Sequence, residues 1–365
     1  MKKVFKLGEF FSGPGGLGLG AKLANNKFKN KDISLEHSWA SDYDQDSCDT
    51  YSYNISDKNI YCTPVEKFFS LIDNKKIKLP KFNAFAYGFP CNDFSNVGEH
   101  KGFKGKFGPL YSYGVELMNR YKPDWFLAEN VSGMSSANDG VAFKKILSEL
   151  GNSGDGYNLT VHKYKFEEYG IPQARHRIII IGFNKKFGND FYFKVPKPSK
   201  KTVTVKEILT KPFKANDPNH IFTKNSQQVI ERLKHIKPGQ SAFTAKLPKS
   251  LTLNVKGAKI SQIYKRLHPD KPAYTVTGSG GGGTHMYHWS EHRALTNRER
   301  ARIQTFPDFY NFSGSKESIR KQIGMAIPPK GIQIICNAIL SSLYKVKYES
   351  VASNIDVDKI INNQG

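Results

Sequence analysis

The chain has 365 residues, of which 38% are hydrophobic and 13% aromatic, and its formal net charge is +23. A chain of this length can bury a full-sized core and is expected to form two domains. No apolar run approaches the length of a membrane span and the N-terminus lacks a signal-peptide pattern, so we expect a cytoplasmic protein with no membrane partner. The four cysteines lack paired metal-ligand spacing, which indicates reduced thiols and predicts no metal site. They are Cys48, Cys62, Cys91 and Cys336.

The positive charge is concentrated in one part of the chain. Between Lys194 and Lys271 there are eighteen basic residues and four acidic ones, a net charge of +14. A lysine-rich surface that merely reflects an AT-rich genome would spread this charge evenly. The concentration therefore predicts a surface that binds a polyanion, most simply nucleic acid.

The first predicted elements are a strand, a glycine-rich turn and a helix. Residues 4–11 are apolar enough for a strand, and a GxGxxG turn starting at Gly13 leads into a helix over 17–23. The next strand, about 34–40, is followed by Asp42, at the distance at which an acid holds ribose hydroxyls. The pattern predicts an adenosine-type cofactor; an ordinary tight turn followed by a surface acid is the alternative.

A cysteine then follows a strand-like run at 83–87. The motif GFPCNDFS, from Gly88 to Ser95, places Cys91 where a strand gives way to a loop. An exposed cysteine there can be a nucleophile if its surroundings favour the thiolate. A small buried hydrophobe is the more common role of a free cysteine. The charged, glycine-rich segment 98–108 predicts a mobile loop.

Further strands and helices alternate along the chain. A helix over 111–120 and a strand over 124–128 precede Glu129, whose carboxylate would lie on the ligand-binding rim of an α/β sheet. A helix over 142–150 and a strand near 158–166 follow. This alternation predicts an α/β fold.

Two arginines precede a strongly apolar strand. Arg175 and Arg177 lead into four isoleucines, and the period of two in a strand places both arginines on one side. They could clamp an anion or pair with a carboxylate; a surface salt bridge is the alternative.

The second half is less regular. Residues 194–272 read as an inserted domain, and the glycine run 278–283 predicts either a close backbone contact or a plain linker. Thr296 is a predicted N-cap, 332–343 a final apolar helix, and the polar tail from Val351 is expected to fray.

Six motifs in this order resemble those of the cytosine carbon-5 DNA methyltransferases, the group that includes bacterial restriction-modification methylases. The resemblance covers nearly everything except roughly residues 190–270 and the tail. The motifs are FSGPGG (Phe11–Gly16), GFPCNDFS (Gly88–Ser95), ENV (Glu129–Val131), QARHR (Gln173–Arg177), RALTNRERARIQTFPD (Arg293–Asp308) and QIGMAIPP (Gln322–Pro329).

The resemblance implies a Rossmann-like, S-adenosylmethionine-dependent methyltransferase sheet with a smaller, irregular target-recognition domain. The implied organisation is a catalytic domain at 1–188, a DNA-binding target-recognition domain at 189–292, a return to the catalytic domain at 293–346 and a tail at 347–365. The implied partners are double-stranded DNA and a cognate restriction endonuclease acting on the same site. The resemblance also implies a monomeric, nucleoid-associated enzyme.

The implied reaction is methylation of carbon 5 of a cytosine within a specific double-stranded sequence, after the base is flipped out of the duplex. Cys91 would attack carbon 6 and Glu129 would bind ring nitrogen 3. Arg177 would hold the carbonyl oxygen of the base, and Arg175 would set the electrostatics of the pocket. The implied DNA contacts are Ser95, Arg293 and Arg298. The implied cofactor contacts are Phe11, Gly13, Gly15, Gly16, Leu17, Asp42, Tyr43, Cys62, Thr63, Pro90, Leu110, Met325 and Ala326.

Two positions depart from the family pattern. Cys62 stands where the family usually has an acid that contacts the adenine amino group, and Met325 stands where it usually has asparagine. Neither change removes a catalytic group.

Three other functions are weighed against this one. A nicotinamide-dependent oxidoreductase would use the GxGxxG turn and Asp42 but leaves the other motifs and the basic insert without a role. A non-catalytic DNA-binding regulator would not need Cys91, Glu129 and Arg177. A tRNA cytosine carbon-5 methyltransferase of the same fold is closer, although a recognition insert of this size favours duplex DNA, whose sequence is read through the grooves.

Overall fold

The computed structural model divides the chain into two compact units. The first comprises Met1–Lys165, His176–Pro198 and Pro329–Gly365, and the second Phe166–Arg175 and Ser199–Pro328. The second unit begins earlier and ends later than the predicted recognition domain, so the functional boundaries stay a prediction. The described residues are 3–29, 31–89, 110–131, 133, 140–199, 201–253, 262–278 and 284–362.

The elements alternate through the first half of the chain, as the pattern predicts. The strands are β1 (Lys3–Phe10), β2 (Ile33–Asp42), β3 (Ile60–Cys62), β4 (Ala84–Gly88), β5 (Trp125–Val131), β6 (Tyr157–Lys165), β7 (Gln173–Ala174), β8 (His176–Asn184), β9 (Val195–Pro196), β10 (Ala273–Tyr274) and β11 (Ser350–Val351). The helices are α1 (Gly16–Ala24), α2 (Gln45–Asn54), α3 (Val65–Asp73), α4 (Leu110–Tyr121), α5 (Val141–Asn152), α6 (Val205–Leu209), α7 (Gln227–Lys234), α8 (Asn297–Ile303), α9 (Lys316–Met325), α10 (Pro329–Leu343) and α11 (Val357–Asn362).

A seven-stranded sheet organises the first unit. Its strand order is β3-β2-β1-β4-β5-β8-β6, with β1 to β5 parallel and β8 antiparallel to both β5 and β6. The four isoleucines of β8 are all buried, as expected of a strand covered on both faces. The predicted α/β class is therefore confirmed, and the carboxyl ends of β1, β2, β4 and β5 form one edge of this sheet.

Close helix packing covers one flank of the sheet. A Cβ atom on Gly20 of α1 would lie 2.5 Å from the Cβ of Ile332 and 2.6 Å from the carbonyl oxygen of Pro329, both in α10. Only a glycine lets the two helices approach this closely. An aromatic cluster that includes Phe10, Trp39 and Phe85 fills the core between the sheet and its helices.

The C-terminal tail is ordered against the first unit as far as residue 362, so the expectation that it frays is wrong over this described part. β11 pairs with β9, and Ile355 bridges Val161 of the edge strand β6. Asn354 accepts from the backbone N–H of Lys163 at 2.8 Å and donates to its carbonyl oxygen at 3.0 Å. Val357, Ile360 and Ile361 of α11 pack against the core. These apolar residues have helical spacing, and the tail satisfies backbone groups that an edge strand would otherwise leave exposed.

The second unit has short elements and a small core. Its main hydrophobic cluster includes Leu233, Ile236, Tyr264 and Tyr287. Thr296 caps α8 in a reciprocal arrangement with Glu299, which confirms the predicted N-cap. Residues 279–283, most of the predicted glycine run, lie outside the described residues.

One run among the described residues is long and apolar enough to cross a membrane, contrary to the expectation of none. It extends from Lys316 to Leu343 and contains an 18-residue window with a mean hydropathy of 1.3. However, 72% of its apolar window is buried, and a break separates α9 from α10 within it. Core helices of folded proteins have this same character.

Candidate active site

The loop after β1 is tied to the end of β2. The backbone N–H of Gly13 donates to Oδ2 of Asp42 at 2.8 Å, and that of Asp44 donates to Oδ1 at 3.0 Å. Burial raises the pKa of the Asp42 carboxyl, although these two donors oppose the shift. The carboxylate therefore fixes the glycine loop in addition to any contact with a ligand.

The glycine-rich loop after β1 has a backbone that a ligand can approach closely. Phe11, Gly13 and Gly15 have positive φ values of 52°, 51° and 89°. A Cβ on Gly13 would meet no atom of the described residues within 4 Å. Gly15 is the N-cap of α1 and offers no side-chain hydrogen bond to the helix. Gly16 and Leu17 then begin α1, so no side-chain cap covers the first turn of this helix.

Four further residues predicted to bind the cofactor lie together beside this loop. In the pairing of β2 with β3, Asp42 is opposite Cys62, and the backbone N–H of Thr63 donates to the carbonyl oxygen of Asp42 at 2.8 Å. Tyr43 is 64% exposed, and Cys62 is exposed as well. The carboxyl ends of β2 and β3 thus present an aromatic ring and a thiol on the surface.

The cysteine motif lies partly outside the described residues. Pro90, Cys91 and Ser95 fall in the segment 90–109, which the structure does not describe. The chain that enters this segment is described: buried Asn130 donates from Nδ2 to the carbonyl oxygen of Phe89 at 3.3 Å. The end of β4 is thereby held against the ENV motif of β5.

Leu110, the first residue of α4, is buried in the core cluster. Its prediction as a cofactor contact stays a prediction.

Glu129 and Arg177 form an ion pair at the end of the sheet. Nε of Arg177 lies 2.8 Å from Oε1 of Glu129, and the side chains are 14% and 16% exposed. In the pairing of β5 with β8, Val131 is opposite Arg177. Glu129 is two residues earlier and so lies on the same face, within diagonal reach. The sequence-predicted carboxylate and arginine are brought together by this register.

A glycine lies beside the second carboxylate oxygen of Glu129. Gly88 pairs with Glu129 across β4 and β5, and a Cβ on Gly88 would lie 3.0 Å from Oε2. Any side chain here would crowd this oxygen. The site therefore has one carboxylate oxygen bound to an arginine and another that lies beside a glycine.

Arg175 does not share a strand face with Arg177, which corrects the predicted arrangement. Arg175 lies between β7 and β8 and in neither strand, so alternation along one strand does not apply to the pair. Its buried guanidinium donates to the carbonyl oxygens of Val276 at 3.0 Å and Gly324 at 3.2 Å within the second unit.

A buried amide network, which sequence reasoning missed, surrounds this position. Gln173 donates to Oε1 of Gln304 at 2.7 Å and accepts from the backbone N–H of Val276 at 2.8 Å. Gln304 donates to the carbonyl oxygens of Ile323 at 2.6 Å and Ala326 at 3.0 Å. The network joins three of the sequence motifs inside the second unit. Glutamine is usually exposed, so the sequence carried no sign that Gln304 was buried.

The last motif places one predicted cofactor residue on the surface and one in the interior of the second unit. Met325 is 63% exposed and Ala326 is buried. Gly324 packs directly on the backbone of Thr277 and Gly278, where a Cβ would approach to 2.0 Å.

The two predicted DNA-binding arginines of the second unit are held in internal ion pairs. Arg298 is 1% exposed and lies 2.5 Å from Asp217, so its side chain has a structural role here, and the DNA contact stays a prediction. Arg293 pairs with Glu291 at 2.6 Å and Glu299 at 2.8 Å. Both arginines stabilise the second unit.

Within the described ranges, no group of three or more His, Cys, Asp or Glu side chains is arranged to hold a metal ion.

Comparison with known proteins agrees with this architecture. The sequence model for C-5 cytosine-specific DNA methylases matches residues 5–341. The chain is 50% identical to the Type II methyltransferase M.BbvI of Brevibacillus brevis, covering 99% of this chain and 97% of that protein. It is 36% identical to the Type II methyltransferase M.NgoFVII of Neisseria gonorrhoeae, over 95% of this chain and 89% of that one.

A solved structure from an E. coli prophage, determined as a candidate DNA modification methyltransferase, has the same fold. Its TM-score is 0.68 at 23% identity, over 94% of this chain and 99% of that one. Motifs, fold and relatives agree: the chain belongs to the C-5 cytosine-specific DNA methylase family and is a DNA cytosine-5 methyltransferase.

Proposed function

We propose that the chain methylates carbon 5 of one cytosine within a specific double-stranded DNA sequence, with S-adenosylmethionine as methyl donor. The target base is flipped out of the duplex and joined transiently to Cys91. The observation that carries the proposal is the Glu129–Arg177 pair beside Gly88, next to the chain that leads into Cys91. The two relatives are named Type II methyltransferases, which supports a protective role beside a restriction endonuclease in the cytoplasm.

The residues of the first unit fit S-adenosylmethionine. The loop from Phe11 to Gly15 has positive φ values and open space at Gly13, which suits a ligand that lies against the backbone. Tyr43 offers an exposed ring for an adenine base, and Asp42 lies where ribose hydroxyls would be bound. When bound, S-adenosylmethionine supplies an electrophilic methyl group.

Carbon 5 of cytosine is a poor nucleophile in the resting ring. Addition of the Cys91 thiolate to carbon 6 forms a carbon–sulfur bond and moves an electron pair towards carbon 5. After methylation, loss of the proton from carbon 5 lets the carbon–sulfur bond break and releases the thiolate. The protein must therefore favour a thiolate and stabilise charge on the ring.

Glu129 and Arg177 have complementary parts in this chemistry. Oε1 of Glu129 is held by Arg177, and we assign Oε2, which lies beside Gly88, to ring nitrogen 3 of the base. We assign the guanidinium of Arg177, which is held next to Glu129, to the carbonyl oxygen of the base. Groups fixed in advance in this way stabilise developing charge without reorganisation. Arg175 is a positioning residue, which holds the motif segments of the second unit.

The test uses Cys91→Ser and a duplex that carries 5-fluorocytosine. The variant should lose methylation and keep specific DNA binding in a gel-shift assay. The wild-type chain should form a stable covalent adduct with the fluorinated duplex, because loss of a proton from carbon 5 is blocked. Mass spectrometry detects the adduct.

Unchanged turnover by Cys91→Ser, or methylation of tRNA in place of DNA, would overturn the proposal. Bisulfite sequencing of DNA from a methylation-free host that expresses the chain gives the target sequence.

A further inference from the structure

We propose that Cys48 and Cys62 form a reversible disulfide at the edge of the predicted adenosine site, with a low-molecular-weight disulfide as the oxidant. Formation of the bond does not depend on the proposed function. Its effect on cofactor binding does rest on that function.

Two rigid elements bring the thiols together. Cys48 lies in α2 and Cys62 is the last residue of β3. The Cys48 thiol donates to the carbonyl oxygen of Asp42 at 3.6 Å, and the Cys62 thiol donates to that of Tyr43 at 3.8 Å. Asp42 and Tyr43 are consecutive, so both thiols are bound to adjacent carbonyls. In the pairing of β2 with β3, Asp42 is opposite Cys62, so both thiols lie next to the same backbone position. A disulfide needs this closeness, since it tolerates only a narrow range of separations.

The surroundings of the two thiols differ. Cys62 is exposed, whereas Cys48 is buried, and burial together with the nearby Cys62 raises the pKa of the Cys48 thiol. Attack on the oxidant therefore starts at Cys62, which is accessible. Cys48 is shielded from solvent and can react only with a partner that is already next to it.

The reaction is a pair of thiol–disulfide exchanges. The Cys62 thiolate attacks one sulfur of the oxidant, forms a mixed disulfide and releases one small thiol. Cys48 then attacks the sulfur of Cys62, the mixed disulfide breaks and a second small thiol leaves. The two protein thiols lose two protons and two electrons in total, and the oxidant is reduced to two thiols.

The bond would change the residues predicted to hold the cofactor. Oxidation removes both S–H donors from the carbonyls of Asp42 and Tyr43 and ties α2 to β3 by a covalent bond. Asp42 also fixes the glycine loop through Gly13, so the change reaches both halves of the site. We expect the Kd for S-adenosylmethionine to rise about tenfold on oxidation.

The first experiment detects the bond in the full chain carrying Cys91→Ser, which removes the proposed nucleophile as a competing thiol. The chain is incubated with glutathione disulfide and mapped by mass spectrometry without reduction. The expected product is a peptide that links Cys48 to Cys62 and that dithiothreitol separates. Adding Cys48→Ala should leave only a glutathione adduct on Cys62. A mixed disulfide alone in the parent chain, or a link to Cys336, would overturn the proposal.

The second experiment measures S-adenosylmethionine binding by calorimetry before and after oxidation. The parent chain should bind about tenfold more weakly when linked. The affinity of a chain carrying Cys62→Ala should not respond to glutathione disulfide. Equal affinity of the linked and reduced parent refutes the effect on the cofactor. A reduced parent that binds no S-adenosylmethionine refutes the proposed function instead and leaves the peptide map valid.

Discussion

At the scale of single residues, a substitution in the Glu129–Arg177 pair should impair catalysis without impairing folding. Glutamine at position 129 keeps the shape of the side chain and can still accept from Arg177, but it removes the charge that stabilises the ring. We expect Glu129→Gln to lower kcat by about 10²–10³-fold, the usual cost of losing one such group. The measurement is single-turnover methylation, with thermal unfolding in parallel.

Glu116→Gln is the matched control. Glu116 is a carboxylate on α4 that binds Arg120 at 2.5 Å near the surface. Its removal should change neither kcat nor folding appreciably, since exposed pairs contribute little. If Glu129→Gln methylates DNA at the wild-type rate, the role proposed for Glu129 is wrong.

Glu9 makes stability depend on pH. This carboxyl is buried in β1, accepts a 2.5 Å hydrogen bond from the Tyr51 hydroxyl, and burial raises its pKa to about 7. A group whose pKa is raised by folding stabilises the protein fully below its unfolded pKa, and this contribution is lost as the pH rises through the folded value. The stabilisation by Glu9 is therefore lost between about pH 4.5 and pH 7.

Glu9→Gln should remove this dependence. The difference in unfolding free energy between wild type and variant should shift by roughly 3 kcal/mol in favour of the variant between pH 4.5 and pH 8. Urea denaturation at several pH values measures it, with Glu116→Gln as the exposed control. A difference that is constant with pH would show that Glu9 does not titrate in this window.

At the scale of elements, the QIGMAIPP motif contains a glycine of α9, Gly324, that packs directly on the backbone of Thr277 and Gly278. A Cβ on Gly324 of α9 would lie 2.0 Å from the nitrogen of Gly278 and the carbonyl carbon of Thr277, neither of which can rotate away. We expect Gly324→Ala to destabilise the protein by roughly 1–3 kcal/mol or more, the range of an overpacked core.

Gly151→Ala in α5 tests whether the effect is specific. A Cβ there meets its nearest neighbour at 3.5 Å, an ordinary contact. This variant should be neutral or up to about 1 kcal/mol more stable, because alanine is the better helix former. Urea midpoints compare the two variants. Equal midpoints for both would contradict the contact at Gly324.

The sequence predicted secondary-structure elements correctly where one type of residue recurs within a short segment. The isoleucines of β8 and the glycines before α1 gave correct positions, because burial and positive φ restrict which residues fit. Arg175 shows the limit: its prediction assumed one continuous strand, and the break between β7 and β8 cannot be seen in the alternation. The tail failed for another reason, since its three apolar residues are diluted by polar neighbours.

Some residues of the candidate site could be singled out from the sequence, and others could not. Asp42 and Glu129 were singled out from their positions at the ends of strands, because the carboxyl ends of parallel strands meet at one edge. Arg177 was singled out because it directly precedes the apolar run of β8. Gln304 was not found, since its burial depends on long-range packing that no local pattern records.

At the scale of the whole molecule, the charge of +23 predicts a strong response to salt. Each phosphate contact releases counterions, so a protein with six to ten such contacts loses about 10³–10⁵ in affinity between 50 and 200 mM salt. We expect this steepness for the chain and assign it to the basic segment 194–271. Fluorescence anisotropy with a duplex that contains the target gives the slope.

Two triple Lys→Gln variants locate the effect. The test set is Lys224, Lys246 and Lys249, and the control set is Lys58, Lys67 and Lys76; all six side chains are exposed. The test set should reduce the magnitude of the salt slope by as much as about 3, since each lost phosphate contact removes about 1. The control set should leave it unchanged. Equal slopes for the two variants would remove the basic segment as the DNA-binding surface.

The first unit is assembled from distant parts of the chain, and this has a consequence for its synthesis. A ribosome has made every strand of the large sheet once Asn184 is complete. The helix that packs on Gly20, and the tail that covers the edge of β6, emerge only after the whole second unit. A nascent chain must therefore carry an uncovered flank and an open strand edge from Asn184 until Pro329 and the residues after it have been made. A message cut before Pro329 encodes all seven strands and still yields a polypeptide prone to aggregate.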